Sequence, residues 1–178
     1  MERLVLVKPS TEYIEEIRAY RHEFIDDGGE AHGESSLSEF NDIPAWIEQC
    51  RLYECKETIP NPDHVEADQF MLVREGDQRI LGMINFRHYL NDFLTEVDGH
   101  IGYGVRPSER RKGYAKAMLM LCLDKCHALG LDKVLITCDE NNEASRRTII
   151  SCGGVFENTI DKDGIRSERY WITLNIKK

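Results

Sequence analysis

The sequence lacks the spacings that build metal and redox centres. Its six cysteines and six histidines form no Cys-x-x-Cys pair, no His-Glu-x-x-His run and no Cys/His cluster. No metal is therefore expected, and Cys50, Cys55, Cys122, Cys126, Cys138 and Cys152 read as reduced, mostly buried thiols. There is no Gly-x-x-x-x-Gly-Lys-Ser/Thr run, which excludes a P-loop. Long apolar runs are also missing. The longest, Ala117 to Leu123, is far short of the ~20 residues that span a membrane. Near the N-terminus only Leu4 to Val7 is apolar, against about 7–15 residues in the core of a signal peptide. A cytoplasmic protein without a membrane partner is the expectation. Positive charge is scarce as well. The chain has 23 Lys and Arg against 32 Asp and Glu, a net charge of −9, which suits no nucleic-acid partner.

What is present fits one domain with its own core: 178 residues, 41% hydrophobic and 31% charged. Leu4 to Lys8 reads as a strand and Tyr13 to Phe24 as a helix. Residues 25–42 read as a long acidic loop, and Ile43 to Cys55 as a second helix with Pro44 in its first turn. Strands follow at Asp68 to Arg74, Ile80 to Tyr89 and His100 to Arg106. Gly113 to Leu129 is the clearest helix. Its apolar positions Ala115, Met118, Leu119, Cys122, Cys126 and Leu129 share one face. Lys133 to Cys138 is rich in β-formers, Asn142 to Cys152 reads as a helix stopped by Gly153 and Gly154, and strands close the chain at 155–160 and 169–176. This order predicts an α/β or α+β domain with a mixed sheet.

The segment from Ile101 to Ala115 carries the chemistry. A strand runs into a short loop, and the loop opens the long helix. Between positions 106 and 116 stand Arg106, Arg110, Arg111, Lys112 and Lys116 against a single acid, Glu109, in a chain that is otherwise acidic. Cations at a helix N-terminus oppose its dipole by about 0.3–1 kcal/mol each, so a compensating anion is expected there. Free N–H groups at that end, with Gly113 leaving room for close approach, predict a phosphate or pyrophosphate site. Gly102 and Gly104 do not form a dinucleotide fingerprint, because they lie inside the strand and Pro107 stands where the third glycine belongs.

Arg110-x-x-Gly113-x-Ala115 resembles the Gln/Arg-x-x-Gly-x-Gly/Ala loop of the GNAT N-acetyltransferases. A strand ending in Val105-Arg106-Pro107, a strand at Val134 to Thr137, Asn142-x-x-Ser145 and Gly154-Val155-Phe156 fall in the family's order, over residues 70–160. In detail the chain is similar to a bacterial group of acetyltransferases with comparable Arg87-His88 and Gly99-His100-Ile101-Gly102-Tyr103 stretches. The resemblance implies a single acetyltransferase domain over 1–178, with a mostly antiparallel sheet whose central strands splay. Residues 1–67 would form the acceptor side, 68–160 the acetyl-CoA-binding core, and 161–178 a closing strand. Acetyl-CoA is the implied acyl donor and co-substrate. The backbone of Arg110, Arg111, Lys112, Gly113, Tyr114 and Ala115 would hold its pyrophosphate. Tyr103, Gly104 and Val105 would pair with its pantetheine arm, Asn142 would hydrogen-bond that arm, and Ser145 would lie near the thioester.

The implied reaction is direct acetyl transfer to a primary amine of a small molecule or peptide. A lysine-like amine, with a pKa near 10.4, costs about 4.6 kcal/mol to deprotonate at pH 7. A base is therefore needed. The family's usual position makes Glu96, Asp98 and His100 candidates, with His88 on the neighbouring strand a fourth. The usual acid, a tyrosine seven residues after the asparagine, is here Ile149, which leaves Ser145, a water, or unassisted thiolate release. The same departure is what a non-catalytic module that binds or senses acyl-CoA would show. Eight acids and no Lys or Arg between Glu23 and Cys50 predict an acidic lid, including Asp26, Asp27 and Glu30, that steers a cationic amine. Enzymes of this fold are often dimers, so the resemblance allows a homodimer.

Overall fold

The computed structural model describes residues 2–29, 31–162 and 164–174. The first sheet consists of β1 (Leu4–Val7), β2 (Ala67–Arg74), β3 (Arg79–Arg87) and β4 (Ile101–Val105), antiparallel and in that spatial order. The second consists of β5 (Lys133–Asp139), β6 (Val155–Lys162) and β7 (Ile165–Thr173), with β7 in the middle. Helices α1 (Ile14–Asp27) and α2 (Ile43–Leu52) precede β2, α3 (Tyr114–Ala128) follows β4, and α4 (Glu143–Ser151) follows β5. The mixed α/β reading and the antiparallel sheets stand together in this arrangement.

Strand alternation divides the core into two layers. Met71, Val73, Ile80 and Met83 face α1 and α2, where they meet Ile17, Tyr20, Phe24, Trp46 and Ile47. Phe70, Leu72, Leu81, Ile84 and Phe86 face α3 and meet Met118, Leu119 and Cys122. Central strands covered on both faces are nearly continuous in apolar residues for that reason. Each fully buried side chain of this kind stabilises the fold by about 1.5–3 kcal/mol. Among the described residues no helix is long and apolar enough to cross a membrane.

Boundaries differ from the sequence expectations at several places: α1 runs on to Asp27 rather than ending at Phe24, α2 ends at Leu52 rather than Cys55, and β3 ends at Arg87 rather than Tyr89. The closing strand β7 starts at Ile165, because a tight hairpin pairs Lys162 with Ile165; Asn175 and Ile176 lie outside the described residues. The acidic loop contains a 3-10 turn at Leu37–Glu39 whose Leu37 is fully buried. Finally, Leu94–Asp98 forms a single π-helical turn just before β4, with no sequence periodicity to announce it.

Candidate active site

The two sheets meet at one point. Gly99 forms an isolated bridge with Ile136. Next to it, the His100 N–H donates to the Leu135 carbonyl at 2.8 Å, and the Leu135 N–H donates to His100 Nδ1 at 2.9 Å. Gly99 is required here: its φ is +67°, and a Cβ would stand 2.5 Å from the Leu135 carbonyl oxygen. Beyond this junction β4 and β5 belong to separate sheets and diverge. A cleft of about 980 Å³ opens between them, lined by Tyr103 to Val105, the loop at 109–111 and 113–116, Thr137 to Asp139, Asn142, Ser145 and Thr148; Lys112 is not part of the lining. β4 is an edge strand, so its outer side faces this cleft. Gly102 and Gly104 point to the opposite face, where the chain before α2 lies directly on the strand. A Cβ on Gly104 would come within 2.7 Å of the His32 carbonyl oxygen.

The loop brings backbone donors to the head of the cleft. Arg111 and Gly113 both adopt left-handed conformations, at φ +65° and +86°, and Gly113 caps α3. The N–H groups of residues 111–116 have no hydrogen-bond partner among the described residues. Six such donors at a helix start form an anion-binding concavity.

The cations of the loop are compensated differently from the sequence expectation. Arg106 is 4% exposed and lies between Glu16 and Glu23 of α1, with its Nε 2.5 Å from Glu23. Arg110 pairs with Asp27 at 3.0 Å and covers the Phe24 ring, and Lys112 pairs with Glu109 at 2.8 Å. Arg111 and Lys116 have no ion-pair partner among the described residues. Two of the five cations are thus answered by the acidic helix α1. Part of the acidic stretch is committed structurally in the same way. Glu23 and Asp27 hold the loop, and buried Glu34 caps Ser38 through its backbone N–H at 2.9 Å. Asp26 is exposed, and Glu30 lies outside the described residues.

The four base candidates occupy different surroundings. His88 lies 3.0 Å from Asp68, which also holds Lys8. Glu96 is largely exposed and pairs loosely with Lys162 at 3.7 Å. His100 is buried at the junction. Burial first, then the charge of Arg87, pulls its pKa down to about 4, and its Nδ1 is already used by the Leu135 N–H. Asp98, at the end of the π turn, pairs with Arg87 at 3.0 Å and remains half exposed. It lines the cleft and also a second cavity of about 590 Å³ on the α2 side, and among the described residues it is the one side chain shared by both. That cavity is walled by Gln69, Asn85 and Arg87 of the first sheet, by α2, and by residues 61–65 and 91–94, so it draws on both halves of the chain.

On the opposite wall, Asn142 caps α4 by accepting the Ser145 N–H at 3.1 Å. This leaves its amide NH₂ for the cleft. Ser145 Oγ lies 2.9 Å from the Tyr103 hydroxyl. Ile149 is fully buried and packs in the core. The hydroxyl pairing of Tyr103 with Ser145 had no signal in the sequence, because the two residues are 42 positions apart. Among the described residues no group of three or more His, Cys, Asp or Glu is placed to hold a metal ion.

Solved structures share this fold. The ribosomal-protein-S5-alanine acetyltransferase of Vibrio fischeri superposes with a TM-score of 0.74 at 16% identity, covering 100% of this chain and 97% of that one. The microcin C7 self-immunity acetyltransferase MccE, solved with acetyl-CoA and AMP, gives 0.70 at 18%, covering 97% and 93%. Mycobacterium smegmatis RimJ, solved with CoA-disulfide, gives 0.68 at 18%, covering 96% and 81%. A search of the curated proteins finds no match. Residues 3–155 match the acetyltransferase (GNAT) domain family, nearly the whole chain, and the protein belongs to the GNAT acetyltransferases.

Proposed function

We propose that this protein transfers an acetyl group from acetyl-CoA to a primary amine by direct attack. The observation that carries the reading is the cleft itself. Six unpaired N–H groups stand at one end, and a carboxylate shared with a second cavity stands on its wall. The N–H groups of residues 111–116, with Arg111 and Lys116 beside them, suit a pyrophosphate. The outer edge of β4 at Tyr103 to Val105 offers backbone pairing to an extended pantetheine arm, and the Asn142 amide faces the same space. The 590 Å³ cavity is the acceptor chamber in this reading.

Asp98 is the base, taking the amine proton directly or through a water, because among the described residues it alone lines both spaces. His100 is a structural junction residue. A carboxylate is a weak base, which favours an acceptor of low basicity. An α-amine with a reference pKa of about 7.7–8.0 costs only about 1–1.4 kcal/mol to deprotonate at pH 7, against about 4.6 for a lysine amine. The S5-alanine activity named for the Vibrio fischeri neighbour agrees with an α-amine, of a peptide or a small molecule.

Thermal unfolding with and without acetyl-CoA, with adenosine as control, tests the donor site. Ligand at 100 times its Kd adds about 2.7 kcal/mol, and each kcal/mol moves the midpoint of a chain this size by about 2–4 °C. A rise of roughly 5–10 °C specific to acetyl-CoA is expected. The Asp98→Asn variant should keep that rise and lose about 10²–10⁴-fold in turnover of dipeptide α-amines. No rise at millimolar acetyl-CoA would refute the donor site, and undiminished turnover by D98N would refute the base. Binding without turnover of any amine would leave the acyl-CoA-sensing reading, which buried Ile149 favours.

A further inference from the structure

The family's usual acid position is held by Ile149, buried in the core and out of reach of the cleft. The cleft nevertheless contains a tyrosine hydroxyl, delivered from the opposite wall. Strand alternation is the reason. Gly102 and Gly104 face the segment before α2, so Tyr103 between them must face α4. Its ring packs against the α3-side core, and its hydroxyl lies 2.9 Å from Ser145 Oγ. Both side chains line the cleft. The neighbouring Thr148 hydroxyl donates to the Ala144 carbonyl at 2.9 Å and also lies beside the Tyr103 hydroxyl. The Ser145 backbone is itself fixed by the Asn142 cap.

We propose that Tyr103 is a positioning residue for leaving-group protonation, holding the Ser145 hydroxyl toward the departing sulfur and resupplying its proton. This rests on the acetyl-transfer reading above. As the amine nitrogen bonds to the acetyl carbon and the carbon–sulfur bond breaks, the Ser145 proton passes to the thiolate. The Tyr103 proton passes to Ser145 Oγ, and the phenolate regains one from solvent. The surplus amine proton leaves through Asp98, so one proton is lost from the amine and one is gained by the thiol. Burial, the largest cause, pushes the Tyr103 hydroxyl up to about 12, so it is protonated at working pH. The tyrosine of this active site has in effect moved from α4 to β4.

The test is a double-mutant cycle of Tyr103→Phe and Ser145→Ala on the full chain. Single-turnover rates are read with acetyl-CoA and a dipeptide α-amine acceptor, beside calorimetric Kd values for acetyl-CoA. Each single variant is expected to slow acetyl transfer by roughly 10²-fold with Kd within about twofold, and the double variant to be no slower than S145A. The wild-type solvent deuterium isotope effect should shrink in Y103F. A tyrosine that merely supports the fold would instead weaken acetyl-CoA binding, leave the isotope effect unchanged, and give effects that multiply with those of S145A; that outcome overturns the proposal. Rapid transfer by Y103F overturns it as well and leaves the acetyl-transfer reading standing. A wild-type protein that binds acetyl-CoA and acetylates none of these acceptors overturns both.

Discussion

Replacing His100 with asparagine separates a structural histidine from a catalytic one. Asparagine Oδ1 stands where histidine Nδ1 does, so H100N keeps the acceptor for the Leu135 N–H while removing the titrating ring. The wild-type ring is neutral in the fold, with a pKa held near 4 by burial and then by Arg87, against 6.5 when unfolded. Between those values the unfolded chain binds more protons than the folded one, so acid favours unfolding. The stabilisation is complete above about pH 6.5 and is lost as the pH falls toward 4. At 1.36 kcal/mol per pH unit it amounts to about 3 kcal/mol in full, and about 2 kcal/mol disappears between pH 7 and pH 5. H100N should be less stable than wild type at pH 7 by about 1–2 kcal/mol, for the packing lost against Trp171 and its neighbours. By pH 5 the two should unfold at nearly the same urea concentration. Urea titrations at both pH values measure this directly. Turnover of H100N at pH 7.5 should stay within about threefold of wild type, far from the 10²–10⁴-fold loss of a missing base. A stability gap that is independent of pH would refute the buried neutral ring. A folded H100N that has lost 10²-fold or more in rate would refute the structural assignment.

Gly99→Ala should destabilise the fold by about 2–3 kcal/mol in urea, since its positive φ and its approach to the Leu135 carbonyl are both closed to alanine. Arg106→Met strands Glu16 and Glu23 and should cost about 3–5 kcal/mol by the same measurement. Glu23 also predicts an acid limb. Burial raises its pKa, but the Arg106 and Ser108 contacts outweigh this and hold it at about 2. Its contribution of about 3 kcal/mol is therefore present above pH 4.5 and lost as pH falls toward 2, and E23Q should flatten that limb. Arg111→Ala should weaken acetyl-CoA binding about tenfold, the worth of one charge-assisted bond, and reduce its salt dependence by calorimetry.

Much of the geometry of the loop side of the cleft was legible because it is local. The loop, the glycine at the start of α3 and the Asn142 cap all lie within a few residues of the backbone they organise, and turn and cap chemistry acts at that range. The second cavity was not. Asp98 matters because a π turn and the Gly99 bridge deliver it to the boundary of two cavities, and neither has a periodicity to read. His100 is the counterpart. Its intrinsic pKa made it the natural base, and only the junction with Leu135 shows that its ring nitrogen is already occupied.

The basic loop shows why charge counting alone misdirects. Five cations near a helix start do predict an anion, since each opposes the dipole. The structure divides that prediction in two. Arg106 and Arg110 are answered by Glu16, Glu23 and Asp27, 83 to 90 positions earlier, the last two on the acidic stretch that the sequence offers as a substrate lid. The two charge runs thus explain each other in part, through Glu23 with Arg106 and Asp27 with Arg110. They dock α1 against the loop and so fix the position from which the N–H groups of residues 111–116 point into the cleft. Docked in this way, the paired cations are expected to contribute little to binding an anion, and on the proposed function the charge of acetyl-CoA falls to the backbone, Arg111 and Lys116. Salt sensitivity therefore distinguishes the two sets. Arg111→Ala should reduce the salt dependence of acetyl-CoA binding, whereas Arg110→Ala should leave that slope nearly unchanged and lower only stability, by about 0–1 kcal/mol for an exposed pair. Equal slopes for R110A and R111A would refute this division of the loop's charges.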